Sequence, residues 1–81
     1  MKIKVLLFAG LREKRGEGEL ELEIPPGTPA RELAPRLFPE GSVSQEFWHK
    51  VRFAVNLDYV PSGTVLHEGD EVALIPPVAG G

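Results

Sequence analysis

Residues 19–38, ELELEIPPGTPARELAPRLF, place a strand, a break and a helix one after another. Glu19 to Ile24 alternates charged and apolar residues with the period of two that is typical of a half-buried strand. Pro25-Pro26-Gly27 ends the strand, and Thr28 followed by Pro29 is typical of a helix N-cap with proline at the first helical position. We therefore predict a strand that leads directly into a helix.

The predicted helix has one apolar face and one interruption. The residues at helical spacing, which would cover one face of a sheet, are Ala30, Leu33, Ala34, Leu37 and Phe38. Pro35 removes one backbone hydrogen bond and clashes with the carbonyl of Arg31. We therefore expect a kink or a tightened last turn there.

The segment before this stretch predicts a second strand, Lys2 to Ala9, that pairs with 19–24 in antiparallel fashion. Its second half is apolar on both faces, which indicates a central strand covered on both sides. Gly10 to Gly18 is charged and rich in glycine, so we predict a loop between the two strands.

The C-terminal half predicts one short helix and three more strands. Ser42 and Gln45 form a possible capping box for a helix that carries Phe47 and Trp48 into the core. Alternating residues then predict strands at 51–56, 59–60 and 71–75, with turns at 56–58 and 67–70.

This order of elements predicts an α+β fold of the β-grasp, or ubiquitin-like, type. It has a mixed sheet whose first and last strands are central, parallel neighbours, one main crossing helix, a short second helix and a projecting C-terminal tail. A ferredoxin-like fold would need another helix between the later strands, and 63–70 is too short for it. We predict one domain, residues 1–75, followed by an extended tail, residues 76–81.

Composition excludes several classes of function. The chain has 81 residues, 42% of them hydrophobic and 26% charged, and a formal net charge of −3, which is typical of a globular protein. The basic residues form no run that would follow a phosphate backbone, so we expect no nucleic-acid partner. We see no membrane-spanning stretch and no signal peptide, and we expect a cytoplasmic protein with no membrane contact.

The chain offers few groups for chemistry. It has no cysteine, which excludes disulfides, thiolate nucleophiles and thiolate metal sites. Its two histidines, His49 and His67, have no acidic cluster at ligand spacing, so we expect surface histidines and no metal site. Gly16-Glu17-Gly18 lacks the spacing and the lysine of a phosphate-binding loop, so an activating enzyme would have to be separate.

The last six residues, Pro76-Pro77-Val78-Ala79-Gly80-Gly81, carry no ionisable side chain. The prolines favour an extended chain, and glycines have no Cβ to obstruct a narrow channel. The α-carboxylate of Gly81 is then the candidate reactive group, and because it is ionised at neutral pH it needs activation. Adenylation by ATP followed by attack of a partner's persulfide would place sulfur on the chain's own end.

The chain resembles the MoaD family, the small subunits of molybdopterin synthase. The resemblance is densest in VLLFAGLRE (5–13), in AVN (54–56) and in GDEVALIPPVAGG (69–81). It implies adenylation of Gly81 by an E1-like, MoeB-type adenylyltransferase that uses ATP, with no cofactor bound to this chain. It also implies a persulfide sulfur donor and a larger MoaE-type subunit, two copies of each subunit forming a heterotetramer.

The family's tail maps onto Val78, Ala79, Gly80 and Gly81, with Pro77 at its base. The open sheet face is expected to be the partner surface, and its candidate residues are Leu6, Phe8, Leu57 and Ile75, with Arg12 at the rim. The protein would then be a sulfur donor and a subunit of an enzyme, not a catalyst by itself.

Three other functions remain open at this point. One keeps the mechanism and changes the acceptor, to a thiamine thiazole in the ThiS family or to a tRNA base. Another is conjugation of Gly81 to lysines, as ubiquitin does. The third is a β-grasp binding module without chemistry, which the acidic balance and the lack of interleaved basic and aromatic residues disfavour.

Overall fold

The fold is built on a mixed sheet of five strands. The computed structural model describes residues 1–77. The strands are β1 (Lys2–Leu7), β2 (Glu19–Glu23), β3 (Arg52–Val55), β4 (Asp58–Val60) and β5 (Glu71–Ile75). Their order across the sheet is β2-β1-β5-β3-β4, with β1 and β5 parallel and the other pairs antiparallel. The predicted β-grasp topology, with the first and last strands as central parallel neighbours, is confirmed.

The core lies on one face of this sheet because the strands alternate. Fully buried residues on β1 and β5 share that face, and the crossing helix adds its own apolar side chains; the largest of them are Ile3, Val5, Leu7, Leu33, Leu37, Val72 and Leu74. Each side chain of this size contributes roughly 1.5–3 kcal/mol when it is removed from water. Among residues 1–77 no helix covers the opposite face of the sheet, which makes it the candidate contact surface.

The segment between β1 and β2 corrects the predicted loop. Residues Ala9–Arg15 form helix α1, which buries Leu11 completely. Gly16 ends the helix with φ of 87°, and its N–H donates to the carbonyl of Arg12 at 2.8 Å. The glycines that suggested a loop thus lie at the ends of the helix, where one of them provides the left-handed cap.

The crossing helix also begins differently from the prediction. Thr28 does not cap it, because its hydroxyl donates to the carbonyl of Pro25 at 2.6 Å, and Pro29 occupies the N-cap position. A 3₁₀ turn, Ala30–Glu32, precedes the α-helical part α2, Leu33–Leu37. The tightening expected in the last turn is therefore in the first turn, before Pro35, whose missing N–H leaves no regular bond for the carbonyl of Arg31.

The loop before β5 satisfies the start of this crossing helix. The N–H groups of Ala30 and Arg31 donate to the carbonyls of Thr64 and Ser62, both at 2.8 Å. Backbone groups thus take the role that the sequence assigned to the Thr28 side chain.

The N-cap of the short helix α3, Gln45–Lys50, lies two residues after the predicted cap. The N-cap is Ser44, whose hydroxyl accepts from Phe47 N–H at 3.1 Å, whereas the Ser42 hydroxyl donates to the carbonyl of Pro39. Phe47 and Trp48 are only partly buried and pack against the edge of the core. None of the helices among the described residues has the length and apolarity needed to cross a bilayer.

Candidate functional site

The open face of the sheet carries a continuous row of apolar and aromatic side chains. The register pairs Leu6 with Ala73, Ala73 with Ala54, and Ala54 with Tyr59, so these residues lie side by side across four strands. Ala54 is buried but does not belong to the core cluster. Side chains in such a row are close enough to form one contact surface.

The structure brings together three of the predicted surface residues. Leu6 and Ile75 lie on the open face and are half-buried. Phe8 follows β1 in an extended conformation, φ −127° and ψ 155°, so the alternation places it on the same face, and 45% of it is exposed. All three lie toward the end of the sheet at which β5 leads into the tail.

Arg12 lies near that end and is exposed on α1. Its side chain runs over Gly18, where an added Cβ would lie 3.1 Å from Arg12 Nε. Because Gly18 accepts from Leu7 N–H at 2.9 Å, Arg12 sits beside the last residue of β1. The structure thus places Arg12 beside the end of β1 that leads to Phe8.

Leu57 lies apart from the other candidates. It forms, with Asn56, the two-residue turn between β3 and β4, next to the start of β5 and thus at the end of the sheet away from the tail. The Asn56 side chain holds this turn by donating to Asp70 Oδ1 at 2.9 Å and accepting from Glu71 N–H at 3.0 Å. Leu57 is 89% exposed and does not join the row on the open face.

The turn at Leu57 gives a first prediction, on stability. Asn56 and Leu57 have φ of 50° and 76°, the signs of a type I′ hairpin turn, which favours glycine at its second position. Leu57→Gly removes the left-handed strain of a side chain that buries almost nothing, so we expect stabilisation by about 0.5–1 kcal/mol. Chemical denaturation measures this change. Leu57→Ala retains the strain and is the control, and equal stability of the two variants would contradict the argument.

A shallow cleft lies where β5 ends, at the first two residues of the predicted tail, Pro76 and Pro77. Ile75 is half-buried, Pro76 is buried and Pro77 is exposed. The cleft has a volume of about 590 Å³, and it is lined by His49, Lys50, Val51, Arg52, Tyr59, Ile75, Pro76 and Pro77. The predicted tail residues Val78, Ala79, Gly80 and Gly81 lie outside the described residues.

Charge is divided unequally over the open face. On the β1 and β2 side, Lys4 lies 3.8 Å from Glu19 and 3.9 Å from Glu71, and Glu21 and Glu23 continue an exposed acidic edge. At the tail end, the guanidinium of Arg52 lies 5.8 Å from the centre of the Tyr59 ring. The face is therefore apolar in the middle, acidic at one side and basic at the other.

Sequence reasoning missed Arg52, Ala54, Tyr59 and Ala73 as parts of this face. The alternation in 51–56 separates Arg52 and Ala54 from Phe53, but only the register of β3 on β5 shows that they stand beside Ile75 and Ala73. Within residues 1–77 no group of three or more histidine or acidic side chains could hold a metal ion. The arrangement can bind a protein surface, and it contains no assembled catalytic group in this part of the chain.

Comparisons with known proteins agree with the fold. A family model described as the ThiS family matches residues 5–81. The molybdopterin synthase sulfur carrier subunit of Mycobacterium tuberculosis is 39% identical over 82 residues, which cover 100% of this chain and 99% of that protein.

Two solved structures extend the comparison. A putative molybdopterin converting factor, subunit 1, from Pyrococcus furiosus has a TM-score of 0.76 and 34% identity, covering 96% of this chain and 99% of its own. A chain in the complex of subunits 1 and 2 of molybdopterin-converting factor from Helicobacter pylori has a TM-score of 0.62 and 24% identity, with 100% of both chains covered, and shares the fold. The protein described here belongs to the ThiS family and is of the MoaD type.

Proposed function

We propose that this chain is the sulfur carrier subunit of a molybdopterin synthase. The observation that carries the proposal is the 39% identity to a molybdopterin synthase sulfur carrier subunit that aligns over the whole chain. The family model also extends through Gly81, the residue to which the proposal assigns the chemistry. The apolar row that ends beside the base of the tail provides a surface for the protein that receives it.

The proposed chemistry takes place at the carboxylate of Gly81. One carboxylate oxygen attacks the α-phosphorus of ATP and releases pyrophosphate, which gives an acyl adenylate. The terminal sulfur of a partner's persulfide then attacks the carbonyl carbon and displaces AMP. A thiol cleaves the resulting acyl disulfide, leaving a thiocarboxylate on Gly81 and a disulfide between the partner and the thiol. The thiocarboxylate sulfur then attacks a carbon of the pyranopterin precursor of the molybdenum cofactor and displaces an oxygen from it. Water cleaves the resulting thioester, which leaves the sulfur on the precursor and restores the carboxylate of Gly81.

Separate proteins perform these steps in our proposal. An E1-like, MoeB-type adenylyltransferase binds and uses the ATP, so this chain itself holds no cofactor. The larger MoaE-type subunit receives the tail, with two copies of each subunit in a heterotetramer. One relative is named a carrier subunit and a solved structure is named subunit 1, and both names imply a further subunit. This supports a larger partner. We place these ATP-dependent reactions in the cytoplasm.

An intact-mass measurement tests the carrier function. The protein is incubated with ATP, the E1-like enzyme and a persulfide donor, and we expect a mass increase equal to one oxygen replaced by one sulfur. Adding the larger subunit and the pterin precursor is then expected to return the original mass. Absence of the first shift refutes the carrier function, and a shift that is discharged only by a thiazole precursor or a tRNA refutes the assigned acceptor.

A further inference from the structure

The cleft at the base of the tail has an unusual charge. Three of its eight lining residues, His49, Lys50 and Arg52, are basic or can become so, and none is acidic. The chain as a whole carries a formal charge of −3, so the cleft is a basic region on a protein whose net charge is negative. An opening lined in this way favours an anionic group over a neutral one.

These three side chains have no ionic partner among residues 1–77. The ion pairs found there involve Lys4, Arg15 and His67. His49 and Lys50 also lie in the last turn of α3, where positive charge stabilises a helix. Arg52 lies on β3 and has no such local role, so it is the most informative residue of the cleft.

Arg52 carries the group of the cleft that is best suited to binding a carboxylate. Its guanidinium carbon lies 5.8 Å from the centre of the Tyr59 ring. A guanidinium carries five N–H donors in its plane, and a planar pair of them matches the two oxygens of a carboxylate.

The position of the cleft indicates what kind of molecule covers it. Arg52 stands opposite Ile75 across the β3–β5 pair, and Pro77 lies in the same lining. A protein that surrounds the tail from its base onward must therefore contact the cleft as well as the apolar row. A carboxylate carried by that protein would meet the unpaired basic side chains.

We propose that the cleft formed by His49, Lys50, Arg52 and Tyr59 binds acidic side chains of the larger subunit that receives the tail. This inference rests on the proposed function, since it takes the larger subunit as the partner. The acidic edge on β2 lies on the other side of the same face. Together the two charged regions fix the direction in which the partner's surface lies across the apolar row, because reversing it would bring like charges together.

Charge reversal at Arg52 tests the inference. The association of the chain with the larger subunit of the same organism is measured by calorimetry for the wild type, Arg52→Glu, Arg52→Lys and Arg36→Glu. Arg36 is exposed on α2 and lines neither the cleft nor the sheet, so its reversal changes the net charge equally and provides the matched control. Circular dichroism checks that each variant is folded.

We expect Arg52→Glu to raise the Kd by about tenfold or more, as is typical of a lost charge pair at an interface. Arg52→Lys keeps the charge but loses the planar pair of donors, so its Kd is expected to lie between those of the wild type and Arg52→Glu. Arg36→Glu is expected to stay within about twofold of the wild type. Between ionic strengths of about 0.01 M and about 1 M, the wild type should lose affinity while Arg52→Glu changes little, because salt screens exposed charges.

Two results would overturn the inference while leaving the proposed function intact. One is equal binding of Arg52→Glu and Arg36→Glu to the larger subunit. The other is self-association of the wild type that Arg52→Glu abolishes, which would assign the cleft to the acidic edge of a second copy. Failure of the wild type to bind the larger subunit, or to acquire sulfur, would instead refute the proposed function.

Discussion

Deleting Gly81 is expected to abolish formation of the thiocarboxylate completely while leaving the fold unchanged. The deletion shortens the tail by one residue, which is about 3.3–3.6 Å of extended chain. In the proposed chemistry the terminal carboxylate then no longer reaches the ATP bound to the activating enzyme. Placement errors of about 1 Å can already cost a factor of about 100 in rate. The intact-mass assay described above measures the loss of the sulfur adduct.

A control variant, Gly80→Ala, distinguishes loss of the reactive carboxylate from a change in the shape of the tail. Gly80→Ala keeps the carboxylate on Gly81, so the sulfur adduct still forms, although an added methyl group slows passage through a narrow channel. Thermal melting of both variants is expected to match that of the wild type. A deletion variant that still acquires sulfur would contradict the assignment of the chemistry to Gly81, and one that unfolds would contradict the predicted separation of domain and tail.

The strands could be predicted because their sequences obey one simple rule. Glu19–Glu23 alternates charged and apolar residues strictly, Glu71–Ile75 alternates larger and smaller side chains on its two faces only in part, and the structure forms strands at both. Successive residues of a strand point to opposite faces of the sheet, and only one face is buried. The polarity of each residue therefore indicates which face it occupies.

The helices were harder to predict because tertiary contacts determine their ends. Helix α1 begins after Phe8 without any side-chain cap, and Ala9 takes a φ of 47° that no local pattern indicates. The crossing helix is capped by Ser62 and Thr64, which are about thirty residues away in the chain. Local helix propensity cannot predict hydrogen-bond partners that are so distant in the sequence.

The same difference applies to the candidate site. Leu6 and Ile75 were found because one residue on each central strand must face away from the core. The contribution of Arg52 and Tyr59 depends on the register between β3, β4 and β5, which no single segment contains. Leu57 is predicted to share this face, but the turn between β3 and β4 places it at the other end of the sheet.

Leu11→Ala is expected to destabilise the domain by about 2–5 kcal/mol. Leu11 is the fully buried residue of α1, the helix that forms where a loop was predicted. Truncation therefore leaves a cavity where that helix meets the core. Domains have about 0.05–0.15 kcal/mol of stability per residue, so the loss is a large fraction of the total for this chain. The melting temperature is expected to fall by about 8–40 °C, at roughly 4–8 °C per kcal/mol for a domain of this size.

Two control variants identify the physical cause of this loss. Lys14→Ala changes an exposed residue of the same helix and is expected to shift the free energy of unfolding by no more than about 0.5 kcal/mol. Leu11→Met preserves the side-chain volume and is expected to cost less than about 1.5 kcal/mol. Alanine favours a helix at least as much as leucine does, so a large effect of Leu11→Ala alone reports packing and not helix propensity. If all three variants were equally stable, 9–15 would behave as the surface loop that its glycines suggest, and α1 would not be part of the core.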